Sequence, residues 1–550
     1  MPAQLWTGAP TCTDVDFVGW EMTVERELSY YILGAPSVIP VDGTPRVVVP
    51  AGWYDLLLYD AVNDTEDVQV DVQIDSNGVS AATLQDRSRT VFGMLDSWVD
   101  GSVIKLNLSY VDQFGAWDIS PDIDAHGAMA PSIVDLDADG VPDFGMDGAV
   151  LSMRDGIVAA GETVEWAMLA PAARLSAGEV AILGSAGIWT PSTGALTRWS
   201  GLSESPVPVR YTILAPVDLG GEVVILGTDG NEALLAGLDG AARWTVPTGD
   251  YRHLSPAIGD VDGDSVPELC FGANYQLALV DVAGDVWWSV AHEELAGSTG
   301  GCAMADLDAD GRYEVIDYGM FGLFIRDGAT GEVLASWEEI GAKWHTVPPV
   351  VADVDADGSA EIVVSGGYIS EGYNQDHTWI LGAAEGRWAR TRPVWNQLAY
   401  DVTSIRDDGV LNSFPFDNWD TYNSFRAQPS HDGAHPDLVI AGTDACADTC
   451  GEGGTVRLAV QVSNPGSVDA PPGAIVRLYT WTAETGLRVV ADAVLEDSVP
   501  AGESAEGVVF DVPYADWGDR RVLEVVGLHD DECDWVNNRE EVDVPDPCAG

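Results

Sequence analysis

The chain has 550 residues and a strongly acidic composition, with 25 Lys and Arg against 89 Asp and Glu and a formal charge of −64 at pH 7. Nucleic acid and anionic membrane surfaces are excluded as expected partners, because both are bound by clustered cations. Hydrophobic residues make up 46% of the chain and 20 residues are Trp, so the protein can bury a core and is not a disordered acidic tail. The length predicts roughly two to four domains.

The N-terminal region, residues 1–125, contains apolar runs such as RVVVPAGWYDLLLYDA and DVQVDVQI that predict β-strands. No repeat is evident within it. We interpret it as a separate β-rich domain, and a lead-in to the repeat that follows is the alternative.

A repeat occupies the middle of the chain. Four copies contain the segments DLDADGVPD, DVDGDSVPE, DLDADGRYE and DVDADGSAE, and two copies with shortened acidic loops lie between the first and the second. The first aspartates of the last three copies, Asp260, Asp306 and Asp353, are 46 and 47 residues apart. Each copy ends with a Gly turn followed by a Trp, and short Val, Ile and Leu runs lie in between. A unit of this size fits one four-stranded propeller blade.

The repeat therefore predicts an all-β fold with a β-propeller of six to seven blades over residues 126–430. The stretch from Arg392 has no clear repeat. It is either a seventh blade, closed with a strand from earlier in the chain, or an ordered linker packed on the last blade. Residues 437–550 contain about seven short strand-like runs separated by Gly, Pro and Asn turns, which predicts a C-terminal immunoglobulin-like β-sandwich.

The acidic segments follow the pattern D-x-D-x-D-G-x-x-[DE], which places carboxylates at positions 1, 3, 5 and 9 of a tight loop. Oxygen-only ligands on a flexible loop suit Ca²⁺ better than Mg²⁺. Four carboxylates so close together repel one another, which disfavours an empty, solvated turn. We expect up to four calcium ions, with these ligands: Asp135, Asp137, Asp139 and Asp143; Asp260, Asp262, Asp264 and Glu268; Asp306, Asp308, Asp310 and Glu314; Asp353, Asp355, Asp357 and Glu361.

Position 6 of the second loop is Ser265, whereas the other three loops have Gly there. We expect this position to be strained and the second site to be the weakest.

The four segments resemble the calcium loops of FG-GAP/VCBS repeats, which occur in the integrin α-subunit propeller and in bacterial surface proteins. The C-terminal stretches VSNPGSVDAPPGAIVRLY and DDECDWVNNREEV resemble the CARDB (cell-adhesion-related) sandwich. The resemblance implies a calcium-stabilised structure with a role in adhesion or ligand binding. The chain has no Arg-Gly-Asp sequence, so an integrin partnership does not carry over.

Cysteine use favours an oxidising compartment, because four of the seven cysteines lie from Cys446 onward. Cys270 follows one acidic loop and Cys302 precedes the next, so adjacent blades could bring them together. No apolar run reaches the roughly 20 residues of a membrane span, and the first residues lack the basic and apolar parts of a signal peptide. We expect an extracellular or cell-surface protein, with cytosolic residence as the alternative.

Catalytic signatures are missing from the sequence: it contains no H-E-x-x-H, no G-x-S-x-G and no phosphate-binding G-x-x-x-x-G-K-[ST]. A quinoprotein dehydrogenase is disfavoured because the chain has no Cys-Cys pair. We therefore predict a non-enzymatic protein of adhesion, matrix or ligand binding whose partner is a protein or glycan. The alternative is a carbohydrate-active enzyme, a polysaccharide lyase or hydrolase, on the same propeller.

Overall fold

The computed structural model describes the chain in segments. These are residues 17–30, 34–51, 55–70, 79–84, 90–100, 103–112, 115–124, 132–135, 140–146, 149–152, 156–160, 172–176, 179–184, 187–190, 195–198, 215–218, 223–228, 232–237, 239, 241–247, 256–273, 276–291, 301–342, 348–371, 376–413, 418, 422–430, 435–448, 453–482, 485–505, 507–526, 536–544 and 546–548. They form β-strands and three short 3-10 helices, Ile369–Glu371, Tyr514–Asp516 and Val536–Asn538, which confirms the all-β class. None of the described helices is long and apolar enough to span a bilayer.

The first four sheets are antiparallel and each pairs four consecutive strands in chain order. Sheet 1 has β2 (Ser37–Val41), β3 (Thr44–Ala51), β4 (Asp55–Asp60) and β5 (Thr65–Val70). Sheet 2 has β6 (Ser80–Thr83), β7 (Thr90–Asp100), β8 (Val103–Asp112) and β9 (Gly115–Asp124). Sheet 3 has β10 (Ser132–Val134), β11 (Asp143–Met146), β12 (Ala149–Ser152) and β13 (Gly156–Ala160). Sheet 4 has β14 (Ala172–Ser176), β15 (Glu179–Gly184), β16 (Gly187–Thr190) and β17 (Ala195–Arg198).

Three more sheets repeat this pattern. Sheet 5 has β18 (Ala215–Asp218), β19 (Val223–Thr228), β20 (Glu232–Gly237) and β21 (Ala242–Pro247). Sheet 6 has β22 (Ala257–Gly259), β23 (Glu268–Ala273), β24 (Gln276–Val280) and β25 (Val286–Ala291). Sheet 7 has β26 (Gly301–Ala305), β27 (Glu314–Gly319), β28 (Gly322–Arg326) and β29 (Val333–Trp337).

Sheet 8 is completed by a strand from the start of the described chain. It contains β31 (Val350–Ala352), β32 (Glu361–Tyr368) and β33 (His377–Ala383), with the short β30 (Ile340–Gly341) also on β32. Its outermost strand is β1 (Met22–Ser29), which pairs antiparallel with β33. The two ends of the eight-sheet series are therefore joined by hydrogen bonds.

The middle strands of sheets 7 and 8 are buried on both faces, whereas the outer strands β29 and β1 are largely accessible. Every residue of β27 is buried, and seven of the eight residues of β32 are. Runs such as EVIDYG and EIVVSGGY therefore lack strict apolar–polar alternation, because neighbouring sheets cover both faces. The hairpin between β2 and β3 is a two-residue turn in which Asp42 and Gly43 both have positive φ, 52° and 78°, as a tight hairpin requires.

An inner segment, residues 392–413 and 422–428, runs along the first strands of six sheets. Its Ala427–Gln428 portion is β34, which pairs parallel with β26. The hydrogen-bonded pairs are Trp395 with Val38, Asn396 with Ala81, Gln397 with Ile133, Phe425 with Ile258, Arg426 with Met304 and Gln428 with Val351. The segment thus satisfies backbone groups on the inner edges of sheets 1, 2, 3, 6, 7 and 8.

The repeated Gly and Trp link neighbouring sheets. Trp244 of sheet 5 donates from Nε1 to the carbonyl of Val282 in sheet 6, at 2.9 Å. Trp288 of sheet 6 donates in the same way to Gly328 of sheet 7, at 2.7 Å. A Cβ on Gly331 would lie 2.6 Å from the Trp288 ring, so only glycine fits under it. Each Trp therefore packs on the Gly turn of the following unit.

The cysteine pair predicted between adjacent units is present. Cys270 of β23 and Cys302 of β26 form a disulfide between sheets 6 and 7. Cys446, in the C-terminal part, is a free and exposed cysteine.

The C-terminal part has its own two sheets and its own core. One sheet pairs β35 (Val439–Ala447), β36 (Thr455–Ser463) and β39 (Val508–Pro513). The other has the order β38 (Gly486–Val494), β37 (Ile475–Thr482), β40 (Arg520–Val526) and β41 (Arg539–Glu541). Along β36 buried and accessible residues alternate, as in a sheet with one face in a core and one in water. That core includes Leu458, Val476, Phe510 and Leu523.

Three predictions can be compared with these sheets. First, residues 1–125 were predicted as a separate domain, and their described part contacts the later sheets: β1 completes sheet 8, and apolar residues of sheet 1 share one core with sheets 6 to 8. Second, eight sheets are present where six to seven blades were predicted. Third, the stretch from Arg392 was predicted as either a seventh blade or an ordered linker. Its described residues form no sheet of their own and make up the inner segment. The predicted closing strand from earlier in the chain exists, but it completes sheet 8.

Candidate metal centres

Three of the four acidic loops are described in full, and each joins the first strand of a sheet to the second. They are residues 260–267 in sheet 6, 306–313 in sheet 7 and 353–360 in sheet 8. The loops of sheets 6 and 7 are in contact, because the Tyr313 N–H donates to the Asp260 carbonyl at 3.1 Å. The loops therefore lie side by side at one edge of the sheets.

The first aspartate organises each loop from within. One of its oxygens accepts the backbone N–H of the residue five positions later. The three bonds join Ser265 to Asp260 at 2.6 Å, Gly311 to Asp306 at 3.1 Å and Gly358 to Asp353 at 3.2 Å. The carboxylate thus draws the loop around itself. Its second oxygen accepts further backbone N–H groups in sheets 6 and 7, as from Gly263 to Asp260 at 2.7 Å and from Asp310 to Asp306 at 3.1 Å. In sheet 8 the second oxygen of Asp353 has no such partner among the described residues.

The ninth residue is a glutamate at the start of the second strand. Its Oε2 accepts the backbone N–H of the residue after the first aspartate, and the bonds are Val261 to Glu268 at 3.1 Å, Leu307 to Glu314 at 2.9 Å and Val354 to Glu361 at 2.8 Å. These bonds use one oxygen of each glutamate and fix the side chain under the loop.

Position 6 of each loop adopts a left-handed backbone conformation. Position 6 has φ of 84° at Gly311 and 85° at Gly358, where glycine meets no steric penalty. Ser265 has φ of 68° at the same position of the sheet 6 loop. The serine is therefore held in a region that side chains disfavour, at a cost of about 1 kcal/mol. This agrees with the strain expected from the sequence.

The loops bring their carboxylates together. In sheets 6 and 7, oxygens from positions 1, 3 and 9 lie within 4.8 Å of one another: Asp260, Asp262 and Glu268, and Asp306, Asp308 and Glu314. In sheet 8, positions 1, 3 and 5 do so, namely Asp353, Asp355 and Asp357. Spacings of this order let several oxygens contact one cation. In sheet 7, Asp310 at position 5 is instead paired with Arg312.

Burial and mutual repulsion make these acids hard to ionise. Loss of solvent is the largest cause and repulsion among the loop carboxylates adds to it, although backbone N–H donors oppose both. The pKa of Asp306 and of Asp353 is raised to about 7, that of Glu268 to about 8 and that of Glu314 to about 9. The pKa of Glu361 is raised well above its usual value. A divalent cation would reverse this balance.

Two buried oxygens in sheet 8 have no partner among the described residues. They are Asp353 Oδ1 and Glu361 Oε1, and Glu361 is fully buried. A buried carboxylate oxygen without a donor or a cation is costly. The orphan atoms therefore point to a ligand at this loop.

The first loop is described only at its two ends. Asp135 and Asp143 are buried, and Asp135 accepts the Gly140 N–H at 3.0 Å, as in the other loops. It also accepts the hydroxyl of Ser413 from the inner segment. Asp137 and Asp139 lie outside the described residues.

Sequence reasoning missed residues that reach the sheet 8 loop from elsewhere. Arg387 donates to the Gly358 carbonyl at 2.6 Å, and Glu25 of β1 lies near Asp355 and Asp357. Glu25 is far from these aspartates in the sequence and follows no loop motif. Only the pairing of β1 with β33 brings it there.

The series of four-stranded sheets, with its ends joined by β1, defines an all-β protein of the propeller type. No protein-family model and no curated protein matches the chain. The FG-GAP/VCBS and CARDB resemblances therefore stay predictions.

Among solved structures, the biofilm matrix protein Bap1 of V. cholerae is similar over 75% of this chain and 98% of its own, with 14% identity and a TM-score of 0.59. At this identity the likeness shows the fold alone. The quinohemoprotein alcohol dehydrogenase of Comamonas testosteroni is similar over 68% of this chain and 80% of its own, with 14% identity and a TM-score of 0.44. That score is too low to support an argument.

Proposed function

We propose that the eight sheets are the eight blades of one β-propeller, and that residues 437–550 form an immunoglobulin-like sandwich. The pairing of β1 with β33 supports a closed ring, because the first and last parts of the series meet there. The inner segment supports a common axis, since it touches the first strand of six sheets. The two-sheet arrangement and separate core of the C-terminal part support the sandwich.

We infer that the four acidic loops bind Ca²⁺ and that calcium stabilises the propeller. The carrying observation is the set of buried, mutually repelling carboxylates, including the orphan oxygens of Asp353 and Glu361. An all-oxygen cage on a flexible loop suits Ca²⁺, whereas Mg²⁺ demands a rigid octahedron and retains its waters. The shortened loops of sheets 4 and 5 bind no metal in this proposal.

The function that we propose is that of a secreted or cell-surface protein of adhesion, matrix assembly or ligand binding, without enzymatic activity. Support comes from the fold shared with a biofilm matrix protein, from the disulfide between sheets 6 and 7 and from the large negative charge. In a calcium-containing exterior, bound ions would offset part of that charge. The partner is then a protein or a glycan at the same surface.

Calcium binding is tested by dialysis against Ca²⁺ buffers and elemental analysis of the protein. We expect three to four ions per chain, and we expect Asp308→Asn to lose one. Asp42→Asn is a matched control, because the exposed Asp42 lies at the same position of sheet 1 in a hairpin without a carboxylate cage. A protein that retains no calcium at millimolar concentration would overturn the proposal.

The biological role is tested by applying the calcium-loaded protein to immobilised glycans and to extracted matrix polysaccharide. Saturable retention without release of shorter products supports a binding protein. Release of new reducing or unsaturated ends would instead establish the carbohydrate-active enzyme.

A further inference from the structure

The strand that completes sheet 8 carries an irregularity at Glu25. In the pairing of β1 with β33, Val24 is opposite Leu381 and Arg26 is opposite Ile380, so the register shifts at Glu25. A bulge of this kind leaves one residue outside the ladder and redirects its side chain. The bulge therefore frees Glu25 for a contact other than regular strand pairing.

The side chain of Glu25 lies directly over Gly382 of β33. A Cβ at Gly382 would be 2.1 Å from Glu25 Oε1, so the carboxylate occupies the space that any larger residue would need. Ile362 of β32 is paired with Leu381. The next antiparallel pair in this register sets Glu361 beside Gly382, which brings the two glutamates to the same point of the sheet.

Glu25 also lies close to the other acids of the sheet 8 loop. Partial loss of solvent raises the pKa of Glu25 to about 7, and repulsion by Asp355 and Asp357 adds to it. Glu25 in turn repels Glu361, whose Oε1 is the buried orphan atom. Glu25 has no hydrogen bond or ion pair with any described residue. Arg26 attracts Glu25 and opposes part of this repulsion. β1 thus places a further carboxylate beside the group of Asp353, Asp355 and Asp357.

This arrangement is specific to sheet 8 among the three loops described in full. The acids that repel Glu268 and Glu314 all belong to the same loop as the affected residue. Bringing a further negative charge to an already repulsive group is unfavourable unless a cation offsets it.

We propose that Glu25 is a ligand, directly or through one water, of a divalent cation held by the sheet 8 loop, and that this cation fastens the N-terminal strand to sheet 8. The inference rests on the proposed calcium binding and adds a ligand from outside the loop. Binding of the ion and attachment of β1 to sheet 8 are then thermodynamically linked. If attachment of β1 increases the affinity for the ion by a given factor, the ion increases the equilibrium constant for attachment of β1 by the same factor. Loss of one supporting carboxylate at a metal site weakens binding by about 10- to 100-fold.

The experiment measures hydrogen exchange of the peptide covering β1 in full-length protein, with saturating Ca²⁺ and with chelator. In the wild type we expect Ca²⁺ to slow exchange of β1 by about 10- to 100-fold, the same factor as above. In Glu25→Gln we expect Ca²⁺ to change this exchange by less than about twofold, and one ion per chain to bind about 10- to 100-fold more weakly.

Two further variants make the result specific. Asp308→Asn removes a ligand in sheet 7 and should leave the calcium effect on β1 as in the wild type. Gly382→Ala displaces the flexible end of Glu25 without removing its charge, and should reproduce Glu25→Gln. If Glu25→Gln and Gly382→Ala both bind calcium and protect β1 like the wild type, while Asp308→Asn loses one ion, this inference is wrong and the calcium sites stand. If the wild type binds no calcium, both proposals are wrong.

Discussion

The acidic loops and the C-terminal sheets surround their carboxylates with opposite charges. In the C-terminal part aspartates face arginines across strands, as in Arg477 with Asp492 at 2.9 Å and Arg457 with Asp511 at 2.8 Å. These arginines lower the pKa of Asp492 and of Asp511. In the loops of sheets 6 to 8 carboxylates face one another, and burial together with this repulsion raises the pKa of Glu268, Asp306, Glu314 and Asp353. The first arrangement is complete by itself, whereas the second is stable only with protons or a cation.

Removal of the metal should have the largest effect on stability, and only in the part of the protein that contains the acidic loops. If three loops each release a calcium ion that was present at about 100 times its dissociation constant, the folded state loses about 8 kcal/mol, which lowers the melting temperature of the propeller by about 10 °C. Calorimetry with Ca²⁺ and with chelator measures the shift. Hydrogen exchange of β36 and β37 should be unchanged. Equal loss of protection in both parts would contradict the comparison.

Mutation of a single ligand should reduce stability less than removal of all the metal, and the size of the loss should depend on whether calcium is present. Glu314→Gln removes one negative charge from the sheet 7 group and keeps the shape of the side chain. With calcium we expect the free energy of unfolding to decrease by about 2 to 3 kcal/mol, which is the contribution of one calcium site. In chelator at pH 7 we expect almost no loss, because the pKa of Glu314 is raised to about 9 and the acid is already mostly protonated. Urea unfolding under both conditions measures the two values, and an equal loss in both would argue for a purely structural role.

The pH dependence of the metal-free protein should differ in sign between the two regions. In the loops the folded pKa values of about 7 to 9 lie above the unfolded ones. Stability is therefore fully present below about pH 4 and decreases as pH rises through 7 to 9. Asp492 has a lowered pKa, so its contribution is present above its unfolded pKa and is lost as pH falls through the folded value.

Hydrogen exchange of β27 and of β37 in chelator, corrected for the intrinsic rate, separates the two trends. Protection of β27 that increases steadily from pH 5 to pH 9 would contradict the repulsive group.

The smallest effect is expected in the paired region. Arg477→Ala breaks an ion pair whose side chains are 30% and 42% exposed. Because solvent screens such a pair, we expect it to contribute about 0.5 kcal/mol to the free energy of unfolding, with or without calcium. A double-mutant cycle with Asp492→Ala measures it. A coupling above about 2 kcal/mol would mean that the C-terminal sheets depend on their ion pairs as strongly as the propeller depends on calcium.

The three acidic clusters of sheets 6 to 8 each form within one continuous segment, so local sequence is enough to place these acids together. The spacing of Asp306, Asp308 and Glu314 is enough to bring their oxygens together, since the turn is built from hydrogen bonds within the loop. The strain at Ser265 was also readable, because it depends on one backbone angle. Likewise, the disulfide of Cys270 and Cys302 followed from their places in consecutive repeats.

Other features depend on contacts that leave no local pattern. Sheets 1 and 2 have no acidic motif in the sequence between their first two strands, so they lack the pattern that marks the other units. The inner segment lacks strand periodicity because its polar groups bond outward to six different sheets. Its role becomes visible only when those sheets are arranged around it.

The amino-acid sequence alone determined the all-β class, the acidic segments that form the loops of sheets 6 to 8 and the unit that repeats. These rest on hydrogen bonds, turns and charge repulsion between residues that are near one another in the chain. Only the tertiary structure decided that β1 completes sheet 8, that the inner segment lies along the first strands of six sheets and that Glu25 reaches the loop of Asp355. The physical reason is that strand pairing joins backbones whatever their side chains, so a partner hundreds of residues away carries no signature in the sequence.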